Sequence, residues 1–368
     1  MGHLSMRILA SALGALGTSV VVAEPVVDVP AADCRLLTEA QTRLACYDGI
    51  FGAPQVPAAE PEKATPVVDT AVNSVSTATS VEEAAPQPGV DLSLAEAMDA
   101  IWELTPETRR RQFVIRTYMP NYLLPLHYIS SVNQTPYSPT RGAASDDKHY
   151  LHTEAKMQIS LRAKMATSLL FSGDSVWFAY TQKSSWQVWD HADSAPFRTT
   201  DYQPEAIYVT PVPESLGNLP GGWRWRMAQV GFAHQSNGQS DPLSRSWNRL
   251  YAGLGVERGE FGLFVQPMFR IPESRHDDDN PDLLDYIGKL ELRGVWFPGK
   301  ATATVTARIN PDNLGRGSWQ LDWSYPFDET EPMGPRWYLQ LFTGYGETLL
   351  DYNHRQTSLG VGVMLFQF

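Results

Sequence analysis

The chain has 368 residues, enough for one large domain or two ordinary ones, and a formal net charge of −12. That acidic balance excludes a generic nucleic-acid binder, which would carry a basic face. After the N-terminus no run approaches the roughly 18–20 apolar residues of a spanning helix, so the mature chain is either soluble in the periplasm or crosses a membrane as a closed β-barrel.

Met6-Arg7 followed by the largely apolar Ile8 to Val22 reads as an export signal over residues 1–23, cleaved after Val21-Val22-Ala23. The alternative is a membrane anchor, but the run is short and interrupted by Gly14, Gly17, Thr18 and Ser19. Residues 24–51 hold Cys34 and Cys46, with Leu36, Leu37, Ala40, Leu44 and Ala45 between them suggesting a short helical segment. In an exported protein such a pair favours a disulfide over a metal site, with two free buried thiols as the alternative. Residues 52–90 are rich in Pro, Ala, Val, Glu, Ser and Thr and contain no aromatic residue, the composition of a disordered linker. From Asp91 to Arg111 an apolar stripe of Leu92, Leu94, Ala97, Ala100 and Ile101 predicts a helix, with Ser93 as its cap. A plug, a surface helix and a presequence are all compatible with it.

Aromatic residues then become dense: all 11 tryptophans lie at Trp102 or later. Ala155, Met157, Ile159, Leu161, Ala163 and Met165 alternate strictly with Glu154, Lys156, Gln158, Ser160, Arg162 and Lys164. The same period of two runs through Leu290–Trp296, Trp319–Tyr325, Trp337–Leu341 and Leu359–Leu365, and about twelve such segments fall between Tyr122 and Phe368. Others lie around Trp177–Trp189, Trp223–Ser236 and Phe261–Ile271. Their length and the tryptophans and tyrosines at the ends of their apolar faces predict an all-β fold over residues 113–368. This is a twelve-stranded antiparallel transmembrane β-barrel with a disordered and helical N-terminal extension. A soluble barrel or sandwich is the alternative. Phe368 suits an aromatic last strand of the kind that barrel-assembly machinery recognises.

One polar block interrupts these strands, from His234 to Tyr251. If His234 and Ser236 share a strand, both point to one face with backbones about 7 Å apart. A base beside a hydroxyl is what serine chemistry needs, and the Asn248 amide, fourteen residues after His234, can orient the imidazole from a neighbouring strand. Ala228, Val230 and Phe232 share parity with His234 and Ser236, as Leu250, Ala252 and Leu254 do with Ser244, Ser246 and Asn248. The apolar members need lipid, so the polar ones should stand on the outside of the barrel, where bilayer lipids are the nearest substrate.

The block His-x-Ser-Asn-Gly-x-Ser-Asp-Pro-x-Ser-Arg-Ser-Trp-Asn-Arg-Leu-Tyr resembles the signature of the outer membrane phospholipase A family. The similarity extends through Tyr180-Thr-Gln-Lys-Ser184, Pro196-Phe-Arg198, Asp278-Asp-Asn-Pro-Asp282, Gly344-Tyr-Gly-Glu347 and the C-terminal Gly-Val-Gly-Val-Met364, covering roughly Tyr122 to Phe368. The resemblance implies a twelve-stranded barrel that hydrolyses acyl esters of glycerophospholipids (a phospholipase A1/A2 with lysophospholipase activity), depends on Ca2+ and acts as a homodimer in the outer membrane. It also implies Ser236 as nucleophile, His234 as base, Asn248 as orienter and the Gly238 N–H as oxyanion donor. For calcium it implies the Ser244 side chain, the Gln239 carbonyl (where the family has Arg) and the Ser194 carbonyl from the partner subunit. Asp279 matches a second, weaker calcium site, and Gln182 a polar position at the dimer interface.

Several features read more plainly. Gly173-Asp174-Ser175 imitates a hydrolase motif but precedes a strand and reads as a turn. Asp277-Asp278-Asp279 lacks the spacing of an EF-hand and reads as a solvated loop. His149 and His152 read as a surface pair. A porin-like or structural barrel without catalysis is the competing function, disfavoured by the presence of all three triad residues.

Overall fold

The computed structural model describes residues 94–366, except 146–148, 193 and 332–333, together with the helical residues Thr42, Ala45 and Cys46. The export signal, Cys34 and hence its pairing with Cys46, the linker, the Ser93 cap and Phe368 lie outside the described residues.

Alternation of apolar and polar residues is expressed as a single sheet closed on itself. The first strand, β1, is in two pieces, Ile115–Thr117 and Asn121–Ile129, both pairing with β2 (Thr153–Thr167). Pro120 lies in the gap between the pieces and has no N–H to give to a ladder. There follow β3 (Ser175–Trp186), β4 (Phe197–Pro211), β5 (Arg224–Ser236), β6 (Ser246–Arg258) and β7 (Phe261–Ile271). The rest are β8 (Leu290–Trp296), β9 (Thr302–Ile309), β10 (Gly317–Pro326), β11 (Arg336–Gly344) and β12 (Gln356–Phe366). Each pairs antiparallel with its neighbour in sequence, and β12 returns to β1 with Val361 opposite Leu126, closing the expected twelve-stranded barrel.

Side chains sort as their parity demands. On β2, Ile159, Leu161 and Met165 are exposed outward, whereas Glu154, Lys156, Ser160, Arg162 and Lys164 are buried in the interior. Outward Trp319, Leu321, Trp323 and Trp337 continue the apolar belt. A closed barrel leaves no unpaired edge in lipid, which is why a chain this polar can cross a bilayer.

The helix covers its apolar stripe but ends earlier than expected: α1 spans Leu94–Trp102 rather than reaching Arg111. Glu103 takes a left-handed φ of 53°, and Thr105, which precedes Pro106, is extended at φ −107°, ψ 157°. Of the three roles open to this helix, the structure selects the plug. Leu94, Met98 and Trp102 pack against the inward side chains Trp177, Ala179, Ile207, Val209 and Met227. Trp102 meets Trp177 edge to face at 6.4 Å, and the Arg162 guanidinium lies 4.4 Å from the Trp102 ring while donating to the Ile101 carbonyl at the helix C-terminus. Ion pairs of Arg226 with Asp99 and Glu257, and of Lys164 with Glu103, fix it to the wall.

At the other end of the lumen, residues from separate segments of the resemblance converge. Glu347 accepts from Lys156 at 2.6 Å and contacts His127 at 3.0 Å, while Arg198 bridges Glu154 at 2.9 Å and Asp351 at 2.6 Å. All are buried, so each charge depends on its partner.

The sequence Gly173-Asp174-Ser175 is the turn it was expected to be, joining β2 to β3. Burial alone would raise the Asp174 pKa, but backbone N–H groups of Phe171, Leu170 and Leu169 and the Tyr208 hydroxyl hold it down to about 2. A depressed carboxyl stabilises the fold above its ordinary pKa and loses that contribution as pH falls through the lowered one. Asp174→Asn should therefore lower the thermal midpoint in detergent at pH 7, and the gap from the parent should close on titration toward pH ~2. A gap that is the same at both pH values would contradict this.

Candidate active site on the outer wall of the barrel

Register and parity together build the site. β5 and β6 pair with His234 opposite Asn248 and Ser236 opposite Ser246. Their polar side chains share the outward face with Val230, Phe232, Leu250 and Leu254, all exposed in the apolar belt below. The His234 and Asn248 side chains are joined at 2.9 Å between Nδ1 and Oδ1. Ser236 stands one pleat further along the same face, and among the described residues no hydrogen bond joins it to His234. Catalytic contacts of this kind are commonly long without substrate.

The site lies where β5 leaves the barrel toward the longer loops. Connections at this end include residues 130–152 and 272–289, whereas the opposite end has turns as short as residues 259–260. In outer-membrane barrels the longer loops face outward, which places the site at the level of the outer leaflet.

The loop of residues 237–245 is held by the buried Asn237. Its amide donates to the Leu243 carbonyl at 2.8 Å, and its Oδ1 accepts the Arg245 N–H at 2.9 Å and that of Gln239 at 3.3 Å. Gly238 takes a φ of 63°, and a Cβ there would meet the Tyr202 ring at 3.1 Å, so glycine is the residue that lets the chain turn here. Among the described residues nothing accepts the Gly238 N–H, which leaves a donor two residues from Ser236.

Asp279 organises the flank of the site. Its carboxylate accepts from Ser244 at 2.7 Å and Ser246 at 3.2 Å and pairs with Arg141 at 2.8 Å. Asp278 and Asp279 are buried, with Asp278 paired to Arg270, so only Asp277 of the acidic run is solvated. This differs from the expected solvated loop, because arginines and main-chain donors replace the lost water. His152 bonds the Ile129 carbonyl at 2.6 Å, and no cluster of metal-binding His, Cys, Asp or Glu occurs among the described residues.

Calcium was expected here, and the donors are of the right kind. Ser244, Ser246 and the Gln239 main chain offer hard oxygens beside a carboxylate. Calcium takes about six to eight oxygen ligands, more than these residues of one subunit supply, so water or a second subunit must complete the shell. Ser194 is exposed with a φ of 59°, in the loop between β3 and β4. Gln182 lies on the outward face of β3, where it accepts from the Tyr180 hydroxyl at 3.1 Å among exposed Ile159 and Phe178.

Three neighbours escaped the reading of the sequence. Tyr202 closes over Gly238, Arg141 reaches Asp279 from a two-stranded ribbon (Tyr137–Ser138 and Gly142–Ala143), and Glu273 accepts from the Asn248 amide at 2.7 Å. The last had a usable signal, since Ile271 and Glu273 continue the outward parity of Phe269 toward β6.

The phospholipase A1 family profile matches residues 98–365. A relative from Neisseria meningitidis serogroup B is 35% identical over 91% of this chain and 90% of its own length. Phospholipase A1 of Escherichia coli K12 is 36% identical over 69% of this chain and 82% of its own. The solved outer membrane phospholipase A of Escherichia coli superposes with a TM-score of 0.61 at 34% identity, covering 70% of this chain and all (100%) of that one. The Salmonella typhi outer membrane phospholipase, a dimer with bound calcium, gives 0.62 at 33% identity over 72% of this chain and 95% of its own. An N-terminally plugged barrel with a polar site on its lipid-facing wall, matched over this extent, belongs to the phospholipase A1 family and resides in the bacterial outer membrane.

Proposed function

We propose that this chain hydrolyses the acyl ester bonds of glycerophospholipids at the sn-1 and sn-2 positions and of lysophospholipids, with Ca2+ bound and as a homodimer. The observation that carries the reading is the His234–Asn248 hydrogen bond on the outward face, above an apolar belt. In the proposed mechanism Ser236 Oγ attacks the ester carbonyl while His234 Nε2 takes its proton and delivers it to the leaving alcohol; water, deprotonated by His234, then cleaves the acyl-serine to release fatty acid and restore Ser236. Asn248 holds the imidazole by accepting from Nδ1, without the negative charge an aspartate would bring. The Gly238 N–H stabilises the developing oxyanion.

Ser244 and the Gln239 carbonyl would hold calcium on one subunit, with Asp279 behind them as the carboxylate of a weaker second position. The Ser194 carbonyl would come from the partner subunit. Bound calcium supplies positive charge where the oxyanion forms. Gln182, a lipid-facing amide, would pair with its symmetry mate across the dimer axis. The homologous Salmonella protein, a dimer with bound calcium, supports by analogy a calcium-bound dimer here.

A porin reading is disfavoured by α1, which fills one end of the lumen. Fatty-acid release from phospholipid in mixed micelles, with calcium or chelator, separates the two, because a porin releases none. Within the triad His234→Ala should cost more than Asn248→Ala, since the second removes only the orienting bond and leaves the base. Steady-state kcat of the two variants checks this, and equal losses would mean that Asn248 does more than orient.

A further inference from the structure

We propose that Glu273 is a positioning residue of this site: its carboxylate fixes the Asn248 amide and is the reason that position 248 carries an amide at all. The inference rests on the proposed roles of His234 and Ser236 and extends them by one residue.

Asn248 stands between two groups of fixed chemistry. Its Nδ2 lies 2.7 Å from Glu273 Oε1, and its Oδ1 lies 2.9 Å from His234 Nδ1. The arrangement follows from the ladder: Ile271 is in register with Asn248, and Glu273 continues the same outward parity just past the end of β7. No lysine or arginine pairs with Glu273 among the described residues, so the amide is not competing with an ion pair.

An ionised carboxylate accepts and cannot donate. Only the NH2 end of the amide can therefore face Glu273, which turns the carbonyl end toward the imidazole. The orientation comes from this chemistry, not from the labels on two atoms of similar size. A carbonyl oxygen accepts only, so His234 Nδ1 must carry the hydrogen there. The lone pair is left on Nε2, the nitrogen to which the proposed mechanism gives the role of base. Glu273 thus selects the productive tautomer from two bonds away, through a charge-assisted link.

The same contact explains the residue type. An aspartate at 248 would bring a second carboxylate to hydrogen-bonding distance of the first, and two such groups cannot both ionise. One would hold a proton or turn away, and the imidazole would lose its anchor. An amide both accepts from the imidazole and donates to the carboxylate.

The test compares kcat and KM on a diacyl phospholipid in mixed micelles with calcium. The proteins are the parent, Glu273→Gln, Asn248→Asp, and Asn248→Asp with Glu273→Gln. Glu273→Gln should lower kcat about 10-fold with KM unchanged, the size expected when an outer partner of a reacting group is lost. Asn248→Asp alone should lose about 100-fold in kcat, and adding Glu273→Gln should recover most of that loss, because a neutral amide then donates to the new carboxylate. Heat-dependent gel mobility verifies that each barrel is folded, and if Asn248→Asp does not fold, the Glu273→Gln kcat alone decides. Parent-like kcat in Glu273→Gln, or full activity in Asn248→Asp with Glu273 present, overturns the proposal. Ser236→Ala run alongside separates the two levels: if it is inactive while Glu273→Gln matches the parent, the hydrolase reading stands and the Glu273 role falls.

Discussion

Ser236→Ala should reduce fatty-acid release by on the order of 10⁴-fold or more if Ser236 is the nucleophile, as proposed, because the covalent route is then removed entirely. The barrel should be unaffected. Ser236 ends β5, its side chain is half-buried on the outward face, and its backbone pairing with Ser246 does not need the hydroxyl. Folded variant and parent would be compared by gel mobility before and after heating, then by release of labelled fatty acid in detergent with calcium. Parent-like turnover from a folded Ser236→Ala protein would end the assignment.

Calcium removal is the second large effect. Losing oxyanion stabilisation costs about 10²–10³ in kcat in hydrolases, and chelation should do at least that here. Its second consequence is on assembly. If the metal binds across two subunits, it binds the dimer and not the monomer, and calcium at about 100 times its dissociation constant stabilises the dimer roughly 100-fold per site. Sedimentation in detergent should show monomer with chelator, and calcium with a lipid-like substrate should raise the dimer fraction and activity together. A calcium-loaded monomer with full activity would refute the coupling.

Much of this was legible in the sequence, for a physical reason. Period-two alternation is a local property, so the outward face of Ile159, Leu161 and Met165 and the shared face of His234 and Ser236 could be read without knowing any partner strand. The His234–Asn248 contact needed one further step, a hairpin, and the register supplies it. What stayed hidden depends on long-range placement. Arg141 meets Asp279 across 138 positions of chain, and nothing local distinguishes it from any loop arginine. The helix stops short of Arg111 because the end is set by backbone conformation, a left-handed Glu103 and the proline soon after it, and the apolar stripe, whose last member is Ile101, carries no stop signal of its own. The plug role itself was open because a helix facing a barrel interior and one facing a soluble core carry the same pattern.

The stoppered lumen has a consequence for traffic. With α1 seated inside and the proposed site outside, substrate would not have to be threaded through the protein, nor product flushed from it. If Ser236 is the nucleophile, as proposed, phospholipid would reach it by lateral diffusion in the leaflet, and lysophospholipid and fatty acid would leave the same way. The quantity that sets turnover is then the mole fraction of phospholipid in the surrounding surface, not its amount per volume. In a leaflet made of other lipids such a site is starved of substrate, and on the proposed coupling to assembly the dimer is disfavoured as well.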